Sequence, residues 1–191
     1  MLRELRPALV LLLLLTVLTG GLYPLLVTGV AQAVTPRAAS GSLLRVDGHV
    51  VGSTLIGQAF DDPCYVWGRP SAVGYNALTS SGTNQGPRSE ALREAVTARI
   101  AALGATGPVP VDLVTASGSG LDPDVSPAAA RFQVPRVAAA RGRTPAEVAA
   151  IIDAAIVRPA LGFLGEARVN VLAVNLALDR AFGTARSKNG P

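Results

Sequence analysis

An α/β domain, with α+β as the alternative arrangement, carried behind a single N-terminal transmembrane helix is the fold class this sequence predicts. Three observations predict it. No charged residue occurs between Arg6 and Arg37. In the rest of the chain, β-branched apolar runs come first and helical periods come after. The 20 glycines and 14 prolines among 191 residues exceed what helical bundles usually tolerate, so the domain must be rich in turns.

The first element is the apolar stretch Ala8 to Val30, ALVLLLLLTVLTGGLYPLLVTGV. At about 1.5 Å per residue it crosses a hydrocarbon core of roughly 30 Å with little to spare. A cleaved signal peptide is the competing reading, with Arg3 and Arg6 as its basic start and Ala31-Gln32-Ala33 as a small-residue cleavage site. The apolar run is too long for that, since signal cores are about 7–15 residues. An uncleaved anchor is therefore expected. Arg3 and Arg6 precede the helix, which places residues 1–7 in the cytoplasm, residues 8–30 in the membrane, 31–40 in a linker, and 41–191 in a domain outside. The anticipated location is the cell membrane, in a single pass. Thr16, Gly20 and Pro24 repeat at four-residue spacing with Gly21 beside them, a texture suited to close approach by a neighbouring helix.

Five strands are expected next. Ser42–Val46 and His49–Ile56 flank Asp47-Gly48, a hairpin signal because the tight turn requires positive φ. Tyr65–Gly68, Val111–Thr115 and Val169–Val174 complete a sheet of roughly five strands. Three to four helices cover it. Leu92, Val96, Ile100 and Leu103 share one face of a helix starting at Ser89. Ser126-Pro127 opens a second helix, running to about Ala140 and kinked or broken by Pro135. Thr144-Pro145-Ala146-Glu147 is a capping box opening a third, and a short helix near Asn175–Phe182 closes the series.

The composition also excludes function classes. Lys188 is the only lysine, which removes a Walker A loop and a Schiff-base lysine within the fold. Cys64 and His49 are each alone, so disulfide frameworks and cysteine or histidine metal sites are not available; no metal site and no catalytic residue is expected. A net charge of +4 without basic clusters argues against nucleic acid. Ser117-Gly118-Ser119-Gly120 does not match the hydrolase elbow G-x-S-x-G. Asp122, Asp124 and Ser126 have the start of a calcium-loop spacing, but Pro127 stands at its glycine and Gln133 at its glutamate. Two long glycine-rich polar loops, Thr79–Pro87, which has no charge, and Thr115–Pro123, are candidates for function, since long ordered loops are often functional, though their Ser, Thr, Asn and Gly also suit tight turns and caps.

Several segments together carry a family resemblance: RPALVLLLLLTVLTGGLYPLLVTGVAQ from Arg6, GSLLRVDGHVVGSTLIGQAF (41–60), WGRPSA (67–72), SSGTNQGP (80–87), DLVTASGSGLDPDVSPAAA (112–130), QVPRVA (133–138) and VNVLAVNLALD (169–179). In that order and spacing the chain resembles the C-subunit (KdpC) family of Kdp-type potassium-transporting ATPases, over nearly its whole length. Asp124, where the family often has histidine, and Cys64-Tyr65-Val66, where an aromatic run is usual, depart from the pattern. The resemblance implies a non-catalytic accessory subunit of an ATP-driven potassium importer. Its implied partners are a potassium-binding channel-like subunit and a P-type ATPase subunit, with a small single-helix subunit as a further one. It implies a chaperone that raises the ATPase subunit's affinity for ATP, stabilises assembly, or both. No covalent cofactor follows from it; ATP, shared with the ATPase subunit, is the only one, with Ser117, Gly118, Ser119, Gly120 and Gln133 as the contacting candidates. A domain outside the cell cannot meet cytoplasmic ATP, so this implication and the charge-derived topology conflict. The alternative class is an independent membrane-anchored exported enzyme or binding module that uses the glycine-serine loop.

Overall fold

The computed structural model describes residues 2–105 and 107–184. The chain divides into two compact units, Met1–Val51 and Gly52–Pro191.

The first unit is dominated by one apolar helix, Arg3–Val34, of 32 residues, long and apolar enough to cross a membrane. It is built from α1 (Leu2–Val17), a π-helical turn (Leu18–Leu22) and α2 (Tyr23–Val34). Pro24 explains the wide turn. It has no N–H to give the Gly20 carbonyl, and its ring would collide with that carbonyl in regular α geometry. The chain widens instead, and Tyr23 N–H donates to the Leu18 carbonyl five residues back. A short helix α3 (Pro36–Ala39) follows, so the stretch read as a linker is largely helical. The hairpin of β1 (Leu43–Val46) and β2 (His49–Ser53) forms as predicted. Asp47 and Gly48 have φ of 49° and 81°, the two positive values a two-residue turn with the strands' twist demands.

The second unit contains α4 (Glu90–Ala102), β3 (Asp124–Val125), α5 (Pro127–Phe132), α6 (Val134–Arg141), α7 (Pro145–Ala154), β4 (Ile156–Val157), β5 (Arg168–Asn170) and α8 (Val171–Phe182). Its three strands pair antiparallel in the order β3-β5-β4, with Val125 opposite Val169 and Ile156 opposite Val169. Val169 is thus the centre of the sheet. It packs with Val125, Ala129, Val137, Ile152 and Leu178 in a buried cluster. Ile152 and Leu178 are fully buried, each stabilising by about 1.5–3 kcal/mol.

The mixed helix-and-sheet class is as expected, but the single five-stranded sheet is not. Among the described residues the strands fall into two small sheets. Tyr65–Gly68 is extended without a strand partner. Val111–Thr115 is a 3-10 turn (Val111–Leu113), because two consecutive residues, Leu113 and Val114, are buried where a strand would alternate. Val169–Val174 is strand only to Asn170. There the Asn170 side chain accepts from Ala173 N at 3.0 Å and starts α8 four residues earlier than expected.

Helix signals were more direct. Ser89 caps α4 and Ser126 caps α5. Thr144 and Glu147 form the full capping box of α7, whose hydrogen bonds hold the Glu147 carboxyl below its ordinary range. The long helix expected from Ser126 breaks at Gln133, and Pro135 then lies in the first turn of α6, where its missing N–H costs nothing.

Candidate functional site: a clasped strap beneath two uncharged loops

The segment 64–75, which begins and ends in turns, runs without a β partner, so its polar backbone groups must be satisfied in another way. Two side-chain amides do this. Asn175 of α8 accepts from Val66 N (2.8 Å) and donates to Val66 O (2.9 Å). Gln133, between α5 and α6, accepts from Trp67 N (2.8 Å) and donates to Trp67 O (3.1 Å). Each amide therefore reproduces the donor-acceptor pair of a neighbouring strand. Gln133 also donates to Ala129 O at 3.2 Å and accepts from Arg136 at 2.5 Å, which fills all its positions. Both side chains are essentially fully buried.

Two arginines complete the clasp. The Arg136 guanidinium lies 3.7 Å from the centre of the Trp67 ring and donates to the Pro63 and Tyr65 carbonyls. Burial lowers its pKa to about 10, so the ring and carbonyls compensate for lost water while it remains charged at neutral pH. Arg141, with its side chain 2% exposed, bonds the Cys64 carbonyl and pairs with Asp179 at 2.8 Å. Asp179 also accepts from the Tyr65 hydroxyl. Burial, then the Asp179 charge, push Tyr65 up to about 12; burial, then Asp62, push the Cys64 thiol up to about 11. Cys64 is accordingly an inert, buried thiol.

Beyond Trp67 the strap supports the two loops. Ser117 N donates to Pro70 O, and the Ser117 hydroxyl accepts from Gly120 N at 2.9 Å. The Ser71 hydroxyl donates to Gly120 O at 2.7 Å and accepts from the Tyr75 and Val73 amides. Gly120 takes φ of 68°, and a Cβ there would lie 2.8 Å from Ser81 O and 2.7 Å from the Val73 side chain. Only glycine fits. The loops then meet directly: the Ser80 hydroxyl donates to Ser119 O at 2.9 Å, and a Cβ on Gly82 would come 2.9 Å from Gly118 O. Beside the strap, Phe60, Trp67, Tyr75, Arg99 and Leu103 line a cavity of about 280 Å³.

The structure brings Ser117, Gly118, Ser119 and Gly120 together in one turn, with Gly118 and Ser119 exposed and Ser117 and Gly120 buried. Gln133 joins them only through the strap, bound to Trp67 while the turn is bound to Pro70 and Ser71. Thr16, Gly20, Gly21 and Pro24 lie on the apolar helix, where a Cβ on either glycine would meet no atom within 4 Å. Thr19, next to them, returns a hydrogen bond to Leu15 O. Asp122 and Asp124 serve the fold: Asp122 pairs with Arg69, and Asp124 with Arg168 and the Asn170 amide, tying β3 to β5. Ser126 is occupied as the α5 cap. Asn175 was missed by sequence reasoning. Its signal was a polar residue on the apolar face set by Val171, Val174 and Leu178, all of them buried.

Comparison with known proteins agrees with the resemblance. A family model described as "K+-transporting ATPase, c chain" matches residues 5–180. A Potassium-transporting ATPase KdpC subunit of Sorangium cellulosum is 60% identical over 189 residues, covering 95% of this chain and 100% of the relative. The KdpC subunit of Caulobacter vibrioides is 58% identical, covering 95% of each chain, and that of Methylococcus capsulatus 54% identical, covering 94% of this chain and 98% of its own. The match extends from the apolar helix through the strap and both loops to α8, and the chain therefore belongs to the KdpC family, the C subunit of potassium-transporting ATPases.

Proposed function

We propose that the chain is a non-catalytic accessory subunit that holds the potassium-importing complex together. Its apolar helix anchors it in the membrane, and the domain outside docks through the fused loops 79–87 and 115–121. The partners in this reading are the channel-like potassium-binding subunit, contacted by the loops, and the P-type ATPase subunit that hydrolyses ATP. Arg3 and Arg6 before the helix favour a cytoplasmic N-terminus. Gly20 and Gly21 in the widened turn, with open space around both, suit packing against a partner helix.

One observation carries the docking reading. Two long, uncharged loops, 79–87 largely exposed and 115–121 exposed at Gly118 and Ser119, are held to each other by Ser80–Ser119 and by the Gly82–Gly118 approach, and to the strap by Ser71 and Ser117. Ordering such loops costs conformational entropy, which a surface that binds nothing would not repay. The chaperone role implied by the family resemblance fits the same surface, since stabilising one assembled state can raise the ATPase subunit's nucleotide affinity without contact. Direct nucleotide contact would fall to Gly118 and Ser119, because Ser117, Gly120 and Gln133 are buried and committed to the fold.

Gly118→Arg tests both. A Cβ at Gly118 meets nothing within 4 Å, so the variant folds while filling the surface with a long cation. The full-length variant is expressed in cells that lack the wild-type subunit and rely on the complex at low potassium. Loss of growth together with loss of ATPase co-purification is expected. Unchanged co-purification with a raised KM for ATP would replace docking by nucleotide contact. Unchanged growth and co-purification would refute both.

A further inference from the structure

The connection between β4 and β5, residues 158–167, points its apolar side chains away from the domain. Leu161, Phe163 and Leu164 are 84%, 78% and 62% exposed. Their backbone is nevertheless held. Ala160 and Leu164 exchange two hydrogen bonds of 3.0 and 2.9 Å, and Gly162 N and Phe163 N donate to Pro159 O and Ala160 O. Leu161, Gly162 and Gly165 take φ of 56°, 82° and 88°. Glycine suits that region, but a leucine there is uncommon and must be held by the rest of the turn. A tip made only to connect two strands would carry Asn, Asp or Gly at such positions, and polar side chains between them. Here a hydrogen-bonded turn presents three large, exposed apolar side chains within four residues. That arrangement marks an interaction site.

The base of the arm carries charges of both signs. Arg158 and Arg168 stand on its two sides, both exposed; Glu166 is the one acid of the connection. Arg168 reaches Asp124 at 3.1 Å, while Arg158 has no charged partner among the described residues. An exposed apolar tip with an arginine free of any acidic partner at its base is suited to the boundary between lipid headgroups and acyl chains. A second, independent feature favours lipid as the occupant. The same chain carries the apolar helix Arg3–Val34, so the domain is covalently held at a bilayer and the encounter is intramolecular.

We propose that the 158–167 connection is a membrane-interface anchor: Leu161, Phe163 and Leu164 enter the acyl boundary, and Arg158 meets lipid phosphate. The inference rests on the helix spanning a membrane, and it holds whichever side carries the domain.

The test uses full-length protein reconstituted alone into vesicles of phosphatidylcholine and phosphatidylglycerol, with insertion checked first by flotation. Phe163→Trp adds a second tryptophan to the constant background of half-buried Trp67, and Leu78→Trp serves as an exposed control. The expected result is a blue-shifted Phe163→Trp emission, quenched at least about twofold by lipids brominated near the headgroup, with little change for Leu78→Trp. Adding Arg158→Glu should reduce that quenching in anionic vesicles. Solvent-like, unquenched emission in protein that floats overturns the anchor. Shielding that appears only after other subunits are added, without bromine quenching, overturns it in favour of a protein partner. Failure to float overturns it differently, by removing the membrane helix on which it rests.

Discussion

The apolar helix and the clasped domain reverse each other's burial. In Arg3–Val34 the large apolar side chains are all exposed, and the backbone satisfies itself within the helix. In the domain, Ser117, Gln133 and Asn175 are buried, and side chains satisfy a backbone that no strand reaches. The difference follows from where each backbone finds partners. A helix closes its own hydrogen bonds and is free to choose its side chains for a lipid surroundings. The strap at 64–67 cannot close its own, so it requires buried amides and arginines at fixed places. A polar substitution should therefore be costly in the first region, and an apolar one in the second.

Asn175→Leu should break the comparison most severely. The volume is kept, but Val66 N–H and C=O lose their partners in a site with no access to water. At about 1–3 kcal/mol for each group, a loss of about 4 kcal/mol is expected. Denaturant unfolding of the full chain in detergent, followed by Trp67 fluorescence, reads it directly; a loss below about 1 kcal/mol would show that the amide is not what holds the strap. The mirror substitution is Leu14→Arg, which should cost about 3 kcal/mol of membrane insertion. Glycosylation mapping of inserted chains would detect the fall, and unchanged insertion would show that the helix is not lipid-facing at that point.

The smallest effect sharpens the comparison at the strap's own edge. Cys64 has its pKa raised from 9.0 to about 11 in the folded chain. The folded state then keeps a proton that the unfolded chain releases, so stability is complete below pH 9 and declines as pH rises towards about 11. Cys64→Ala should flatten that decline, leaving the remaining slope to Tyr65, raised to about 12 by burial and Asp179, to Tyr75, also raised by burial, and to Arg136, whose pKa, lowered to about 10, acts in the opposite sense. Unfolding midpoints measured between pH 8 and 11 for both proteins would check it. Parallel profiles would remove Cys64 from the alkaline transition.

Local chemistry was legible wherever the partner is a near neighbour. The Asp47-Gly48 turn, the serine caps of α4 and α5, the Thr144–Glu147 box and the break before Pro135 each join residues within about one turn of the chain. The glycine-serine turn was found as a turn, and its family resemblance supplied a role that the residues alone did not. Gln133 was singled out for nucleotide. Its place under the strap was hidden, because Trp67 is 66 positions away in sequence.

By itself the sequence determined an apolar helix of membrane-spanning length, a hairpin, the starts of the main helices and the family. Charge depletion, positive-φ turn residues and capping side chains act over a few residues, so they can be read without coordinates. Only the tertiary structure decided that Tyr65–Gly68 would be clasped instead of paired, that the strands would divide into two sheets, and that two uncharged loops would fuse into one surface. Those outcomes depend on which buried backbone group finds its donor or acceptor first in space. For Val66 that partner is the Asn175 amide, 109 positions along the chain.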